Sequence, residues 1–216
     1  MNHFPLEPSF ARALIASKEN GCTLEVLGII SVLSSSAKLF FDPSGEDQRE
    51  QALEARSKFR HASGDHMTAL SAFRAYQEIA NIEGKAGRKE WCRRNYVNER
   101  ALSEAVDIQD QLKGICDRLK IDWQASCASD TDKVLKSLLA GMPEHIATWR
   151  IELGGYKQAL GGGVSQNFCG LILELKILIN LQLVKIHPGS VLAGRKVGAI
   201  VYDELVGSLS CNLRQR

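Results

Sequence analysis

The residues best suited to chemistry lie in one stretch, RKEWCRRNYVNERALSEA, from Arg88 to Ala105. Between Gly84 and Arg100 the cationic side chains are Lys85, Arg88, Lys89, Arg93, Arg94 and Arg100, set against Glu90 and Glu99. The local excess of positive charge exceeds the +2 of the whole chain. Guanidinium forks suit phosphate oxygens and hold a nucleic-acid backbone without reading its sequence. Trp91 and Tyr96 interleave the cluster, and Asn95 and Asn98 add amide donors. Two readings stand side by side on residue types alone. The arginines grip a polyanion, or the two aromatics anchor a core while the arginines form a solvated, salt-bridged face.

Other chemistries find little support. No G-x-x-x-x-G-K-[ST] loop is present to cradle a nucleotide, and LGGGV (Leu160–Val164) opens no helix that could hold a phosphate. The five histidines show neither H-E-x-x-H nor ligand spacing with the cysteines, so no metal site is assigned. Asp65 precedes His66, but adjacent helical residues do not face each other, and Asp65 is expected to cap a helix. No catalytic residue is assigned, and an independent hydrolase is disfavoured. The six cysteines are scattered without a C-x-x-C pair, which suits free thiols. The apolar run Leu171–Val184 carries Glu174 and Lys176 and is too short to span a bilayer, so no membrane partner is expected.

The elements that must position the cluster are helical. FARALIASKENGC stops at Asn20-Gly21, and Thr23 is expected to cap the following LEVLGIISVLS, whose Leu24, Leu27, Ile30 and Leu33 share a face. A polar loop through FDPSGEDQRE leads to a short charged helix over Glu50–Phe59. A further helix enters through Ser63-Gly64-Asp65, with Met67, Leu70, Phe73 and Gln77 on successive turns, and NIEGKAGRK breaks it. After the basic cluster, Ala101, Ala105, Ile108, Leu112, Ile115 and Leu119 make one apolar stripe down a long helix. A last helix, Asp130–Ala140, buries Val134, Leu135, Leu138 and Leu139, with Ser129 or Thr131 as its cap. From about residue 145 the texture changes to Gly-rich, β-branched segments that read as short strands. The fold class is α+β: a helical bundle over residues 1–143 and a small β domain over 144–216.

Five blocks in order resemble the C-terminal region of DEAH-box RNA helicases: FPLEP (Phe4–Pro8), LGIISVLSS (Leu27–Ser35), KFRHASGDHMTALSAF (Lys58–Phe73), WCRRNYVNERALSEAVDIQDQL (Trp91–Leu112) and VKIHPGSVL…AIVYDELV (Val184–Val206). The resemblance implies a helical ratchet-like domain followed by an OB-like β domain. It implies an accessory RNA-binding role in a helicase whose RecA-like motor domains, with their ATP and Mg²⁺, lie outside this chain. No cofactor is assigned here. By the same resemblance, Arg93, Arg94, Asn98 and Arg100 are RNA-backbone candidates. Lys185, His187 and Ser190 match the K-I-H-P-x-S turn, where His187-Pro188 either meets RNA or only shapes the turn. A glycine-patch-type activator is an implied partner, and the implied location is nuclear, leaning nucleolar. The implied processes are ribosome biogenesis and splicing. The alternative is a free-standing, non-catalytic interaction or RNA-binding module.

The chain also departs from the family pattern. The family passes from G-x-Y-K almost directly to V-x-I-H-P, whereas Val164–Gln182 intervenes here. Val-Ser and Gln at its ends are what a splice donor and acceptor would encode, so a retained intron is expected; the alternative is an edge strand or amphipathic helix that an OB-like loop tolerates. The tail 207–216 lacks the family's closing strand, so the OB-like barrel is expected to be incomplete. Met1 falls where family chains are in mid-sequence, so a truncated helicase is expected.

Overall fold

The computed structural model describes residues 6–143, 145–150, 155–159 and 183–203. The Val164–Gln182 insert and the 207–216 tail lie outside the described residues. Two compact units are present: Met1–Gly141 with Ile186–Arg195, and Met142–Lys185 with Lys196–Arg216. The sequence groups 144–216 together, whereas in the structure Ile186–Arg195 packs with the helices.

Among the described residues seven helices build the first unit: α1 Pro8–Asn20, α2 Thr23–Leu33, α3 Glu46–Ser57, α4 Asp65–Ile82, α5 Lys85–Arg94, α6 Glu99–Arg118 and α7 Thr131–Gly141. Pro8 opens α1, and Gly21 closes it at φ +63°, a left-handed conformation that costs glycine little. α2 lies at the centre. It packs against α1, α4, α6 and α7, and Val26, Leu27, Ile29, Ile30 and Val32 are all buried. Such a helix is buried nearly all round rather than on one stripe, and Leu24 and Leu33 are only partly covered. Thr23 does not cap it. Thr23 is the first helical residue, and the carbonyl of Ala125 takes the Leu24 N–H at 3.0 Å. A donor satisfied from elsewhere in the fold leaves the cap position nothing to do.

Other boundaries move for local reasons. α3 starts at Glu46, with Glu46 and Asp47 in a first turn that favours negative charge. α4 continues to Ile82, and the break is confined to Glu83–Gly84. On α6 the buried stripe is Ala101, Leu102, Ala105, Gln109, Leu112, Ile115 and Cys116. Gln109 takes the place expected for Ile108, because its amide oxygen accepts from Gln77 Nε2 at 2.8 Å and so can be buried without loss. Leu119 and Leu139 are exposed, just outside α6 and near the end of α7 respectively.

The described residues of the second unit form a four-stranded antiparallel sheet in the order β3-β2-β1-β4, with β1 Ile146–Arg150, β2 Gly155–Ala159, β3 Leu183–Val184 and β4 Ala199–Val201. β1 pairs with β2 from Ile146↔Ala159 to Arg150↔Gly155, and with β4 from Ile146↔Val201 to Thr148↔Ala199. Next to the β1–β4 pair the His145 and Tyr202 rings stack, 5.2 Å apart and 3° from parallel. Among the described residues no helix is long and apolar enough to cross a membrane.

Candidate nucleic-acid interface

The basic cluster folds as a corner. Arg93 and Arg94 close α5, residues 95–98 turn the chain, and Arg100 stands in the first turn of α6. Trp91 belongs to the core: its ring lies 5.9 Å from Phe59 and 6.2 Å from Tyr76. Cys92 and Val97 are buried in the same cluster. Burial holds the Cys92 thiol up at about 12, so it stays protonated and unreactive. Anchored by Trp91 and Cys92, α5 turns its arginines outward, and the Arg93 and Arg94 side chains are 75% and 73% exposed.

Glu90 organises these two arginines. Arg93 donates from Nε and Nη2 to the carboxylate, both at 2.9 Å, and Arg94 Nε donates to Oε1 at 2.7 Å. Hydrogen bonds from Arg93 and Arg94 hold the Glu90 carboxyl down at about 2. One carboxylate thus aligns two guanidiniums and leaves the group net positive. The two sequence readings therefore divide by residue: Trp91 is the core anchor, while the arginines are salt-bridged and yet open to solvent.

Asn98 holds the start of α6. Its side-chain oxygen accepts from the N–H groups of Arg100 at 3.1 Å and Ala101 at 3.5 Å, capping α6. Arg100 itself is exposed, two residues past that cap. A cation at a helix N-terminus opposes the helix dipole, and the Glu104 carboxylate at i+4 offsets part of that cost. One turn on, Glu104 accepts from Ser36 N at 3.1 Å and Ser36 Oγ at 2.6 Å, which hold its carboxyl below the usual range.

The K-I-H-P-x-S residues separate. Lys185 is exposed in the β unit. His187 Nδ1 accepts from Gly189 N at 3.1 Å, and Ser190 Oγ accepts from Leu192 N at 3.1 Å, so both polar groups shape the turn. That turn serves a contact which the sequence did not signal. Asp65 does not cap α4. Its carboxylate accepts the Val191 N–H at 2.8 Å, and Arg195 reaches the Ala62 carbonyl at 3.4 Å. Gly64, at φ +120°, lets the chain enter α4 beneath Leu192. The GDH and IHPGS blocks, distant in sequence, thus touch within the helical unit.

Residues 7–69, spanning α1 to the start of α4, match the helicase-associated domain (HA2), described as ratchet-like. Relatives named as RNA helicases match almost the whole chain. The human ATP-dependent RNA helicase DHX33 is 30% identical over 99% of this chain and 26% of its own length. The Drosophila melanogaster protein of the same name is 30% identical over 100% of this chain and 27% of its own. An Arabidopsis thaliana relative named as the pre-mRNA-splicing factor ATP-dependent RNA helicase DEAH10 is 30% identical over 95% of this chain and 26% of its own. The chain therefore spans about a quarter of the length of the curated relatives it matches, and the DEAH-box resemblance read from the five blocks is shown.

Proposed function

We propose that this helicase-associated region guides RNA for a DEAH-box ATP-dependent RNA helicase by holding the sugar-phosphate backbone at the α5–α6 corner. The observation that carries the reading is the outward setting of Arg93, Arg94 and Arg100 around one turn, with Glu90 aligning two of them. Backbone contacts of this kind are sequence-tolerant and weaken with salt, because binding releases counterions. Asn98 acts by placing Arg100, and His187 and Ser190 act by shaping the turn that clasps α4. Lys185 is an accessory contact on the β unit, which we take as OB-like, with a single-strand or activator-binding face.

RecA-like motor domains are the partner that supplies unwinding, and ATP and Mg²⁺ are assigned to them rather than to residues of this chain. A glycine-patch-type activator, a nuclear location leaning nucleolar, and work in ribosome biogenesis or splicing complete the reading. The relatives' names support the helicase setting, and one of them supports splicing.

The decisive experiment is a salt titration of single-stranded RNA binding by the wild-type chain and by the double charge reversal Arg93→Glu/Arg100→Glu. Each lost phosphate contact should lower the slope of log affinity against log salt by about 0.7 on a single strand. The double variant is expected to bind more weakly and to show a slope shallower by about 1.4 if both contacts are lost. An unchanged titration refutes the assignment.

A further inference from the structure

The corner carries more than charge. Phe41 is a large apolar side chain left 42% exposed. Its ring lies 5.6 Å from that of Tyr96, tilted by 45°. Tyr96 sits between Arg94 and the Asn98 cap. An exposed phenylalanine resting on a half-buried tyrosine therefore adjoins the arginine cluster.

Several features fix that pair. Tyr96 has φ +51°, a left-handed backbone that an aromatic residue rarely adopts and that costs on the order of 1 kcal/mol. Its neighbours impose it. Phe40 and Val97 form an antiparallel bridge, Phe41 N donates to the Tyr96 carbonyl at 3.4 Å, and Asn98 N donates to the Leu39 carbonyl at 2.8 Å. The Tyr96 hydroxyl is tied to Gln51 at 3.2 Å. The neighbouring ring of Phe40 is covered instead, with the Arg56 guanidinium 5.1 Å from its centroid. Arg56 also reaches Asp42 Oδ1 at 2.8 Å and the Phe41 carbonyl, which pins the segment beneath Phe41. The fold thus buries or covers Trp91, Phe40 and Phe59 and holds Phe41 out to solvent.

From this juxtaposition we infer that Phe41, supported by Tyr96, is a stacking platform for an unpaired RNA base whose flanking phosphates are held by the α5–α6 arginines. Surfaces that hold single strands without reading sequence combine a cationic track with aromatic rings, because every base has a π face. The inference rests on the RNA-guidance reading and adds a base contact to it. It selects single strands over duplex, since bases in a duplex are already stacked and paired.

The test uses the full 216-residue chain and two fluorescent probes of equal length and charge: a single-stranded oligoadenylate and an abasic oligonucleotide that keeps the phosphates. Phe41→Leu preserves an apolar contact with Tyr96 but removes the ring. It is expected to weaken the oligoadenylate about five- to a hundredfold, in line with one lost stacked base, and to leave the abasic probe and the salt slope unchanged. Phe41→Trp should restore the affinity. Equal binding of oligoadenylate by wild type and Phe41→Leu overturns the inference, and so does an equal loss on both probes. If Arg93→Glu/Arg100→Glu still weakens both probes in either case, the backbone reading survives. A wild-type chain that binds neither probe overturns both.

Discussion

Glu25 should be the keystone of the helical unit, and replacing it by Gln tests how that unit is held. Its carboxylate is 1% exposed on α2 and accepts from Arg74 Nη2 at 2.6 Å, Ser126 Oγ at 2.6 Å and Cys127 N at 3.3 Å. Three parts of the chain, α2, α4 and the α6–α7 connection, therefore meet on one side chain. Burial alone would raise the Glu25 pKa, but the hydrogen bonds from Ser126, Cys127 and Arg74 outweigh burial and hold it below the ordinary value. In Glu25→Gln the Arg74 and Ser126 bonds lose the carboxylate charge and the amide nitrogen meets the Cys127 N–H donor to donor, a loss of about 1–1.5 kcal/mol for each bond weakened or broken. Removing one partner of a fully buried ion pair costs about 3–5 kcal/mol. Arg74 is 43% exposed and can rehydrate, so the expected loss is smaller, about 2–3 kcal/mol. Helical circular dichroism under urea reads it directly, and the melting temperature should fall by roughly 4–12 °C. The pH dependence is a second readout. A carboxyl whose folded pKa is depressed contributes stability above its unfolded pKa, about 4.3, and loses it as pH falls toward the folded value. The gap between wild type and Glu25→Gln should therefore be full at neutral pH and shrink below about pH 4.3. A loss under about 0.5 kcal/mol at neutral pH, the level of an exposed ion pair, would refute the keystone role.

Three further outcomes follow from single contacts. Asn98→Ala should lower unfolding free energy by about 0.5–2 kcal/mol through loss of the α6 cap, while Asn98→Asp keeps most of it; equal stability of Asn98→Ala and wild type would show that the cap is idle. Gly141→Ala should destabilise, although alanine is the better helix former by about 1 kcal/mol, because the added Cβ would lie 2.5 Å from both the Ala13 Cβ and the Ser9 carbonyl oxygen; urea unfolding decides the sign. Asp65→Ala should speed hydrogen exchange at the Val191 amide, with a local loss of about 1–3 kcal/mol, and unchanged protection there would break the link between the two sequence blocks.

What the sequence made legible follows from the range of the interactions. Periodicity and local stop signals report on neighbours along the chain, so α1 ends at Gly21 as expected, and the Ala101–Ala105–Leu112–Ile115 stripe is buried. The failures are long-range. Thr23 has cap chemistry, but a carbonyl about a hundred residues away had already taken the Leu24 donor. Gln109, no part of the expected apolar stripe, is buried because its partner Gln77 comes from another helix. The basic cluster could be read as charge, yet residue types could not separate Trp91 from Tyr96. Only the ring contacts to Phe59 and Tyr76, against the Phe41 contact outside, assign one to the core and the other to the surface.

The same distinction explains why blocks so far apart made a specific resemblance. Gly64-Asp65 is unremarkable as a helix entry, and His187-Pro188-Gly189-Ser190 is unremarkable as a turn. Together they are a matched pair: the turn presents the Val191 N–H, Asp65 accepts it, and Gly64 leaves room for Leu192. Neither half has a reason to keep its residue types without the other. His187 and Ser190 spend their polar atoms on Gly189 and Leu192 and so fix the direction of that N–H. The segment that follows β3 is thereby fastened to the mouth of α4, the helix whose Tyr76 packs against Trp91 beneath the arginine corner. A change at the clasp can reach the corner only by moving α4 as a body. Loosening Asp65 should therefore leave RNA affinity nearly intact while exposing Val191, whereas loosening Trp91, which α4 and α5 share, should disturb both.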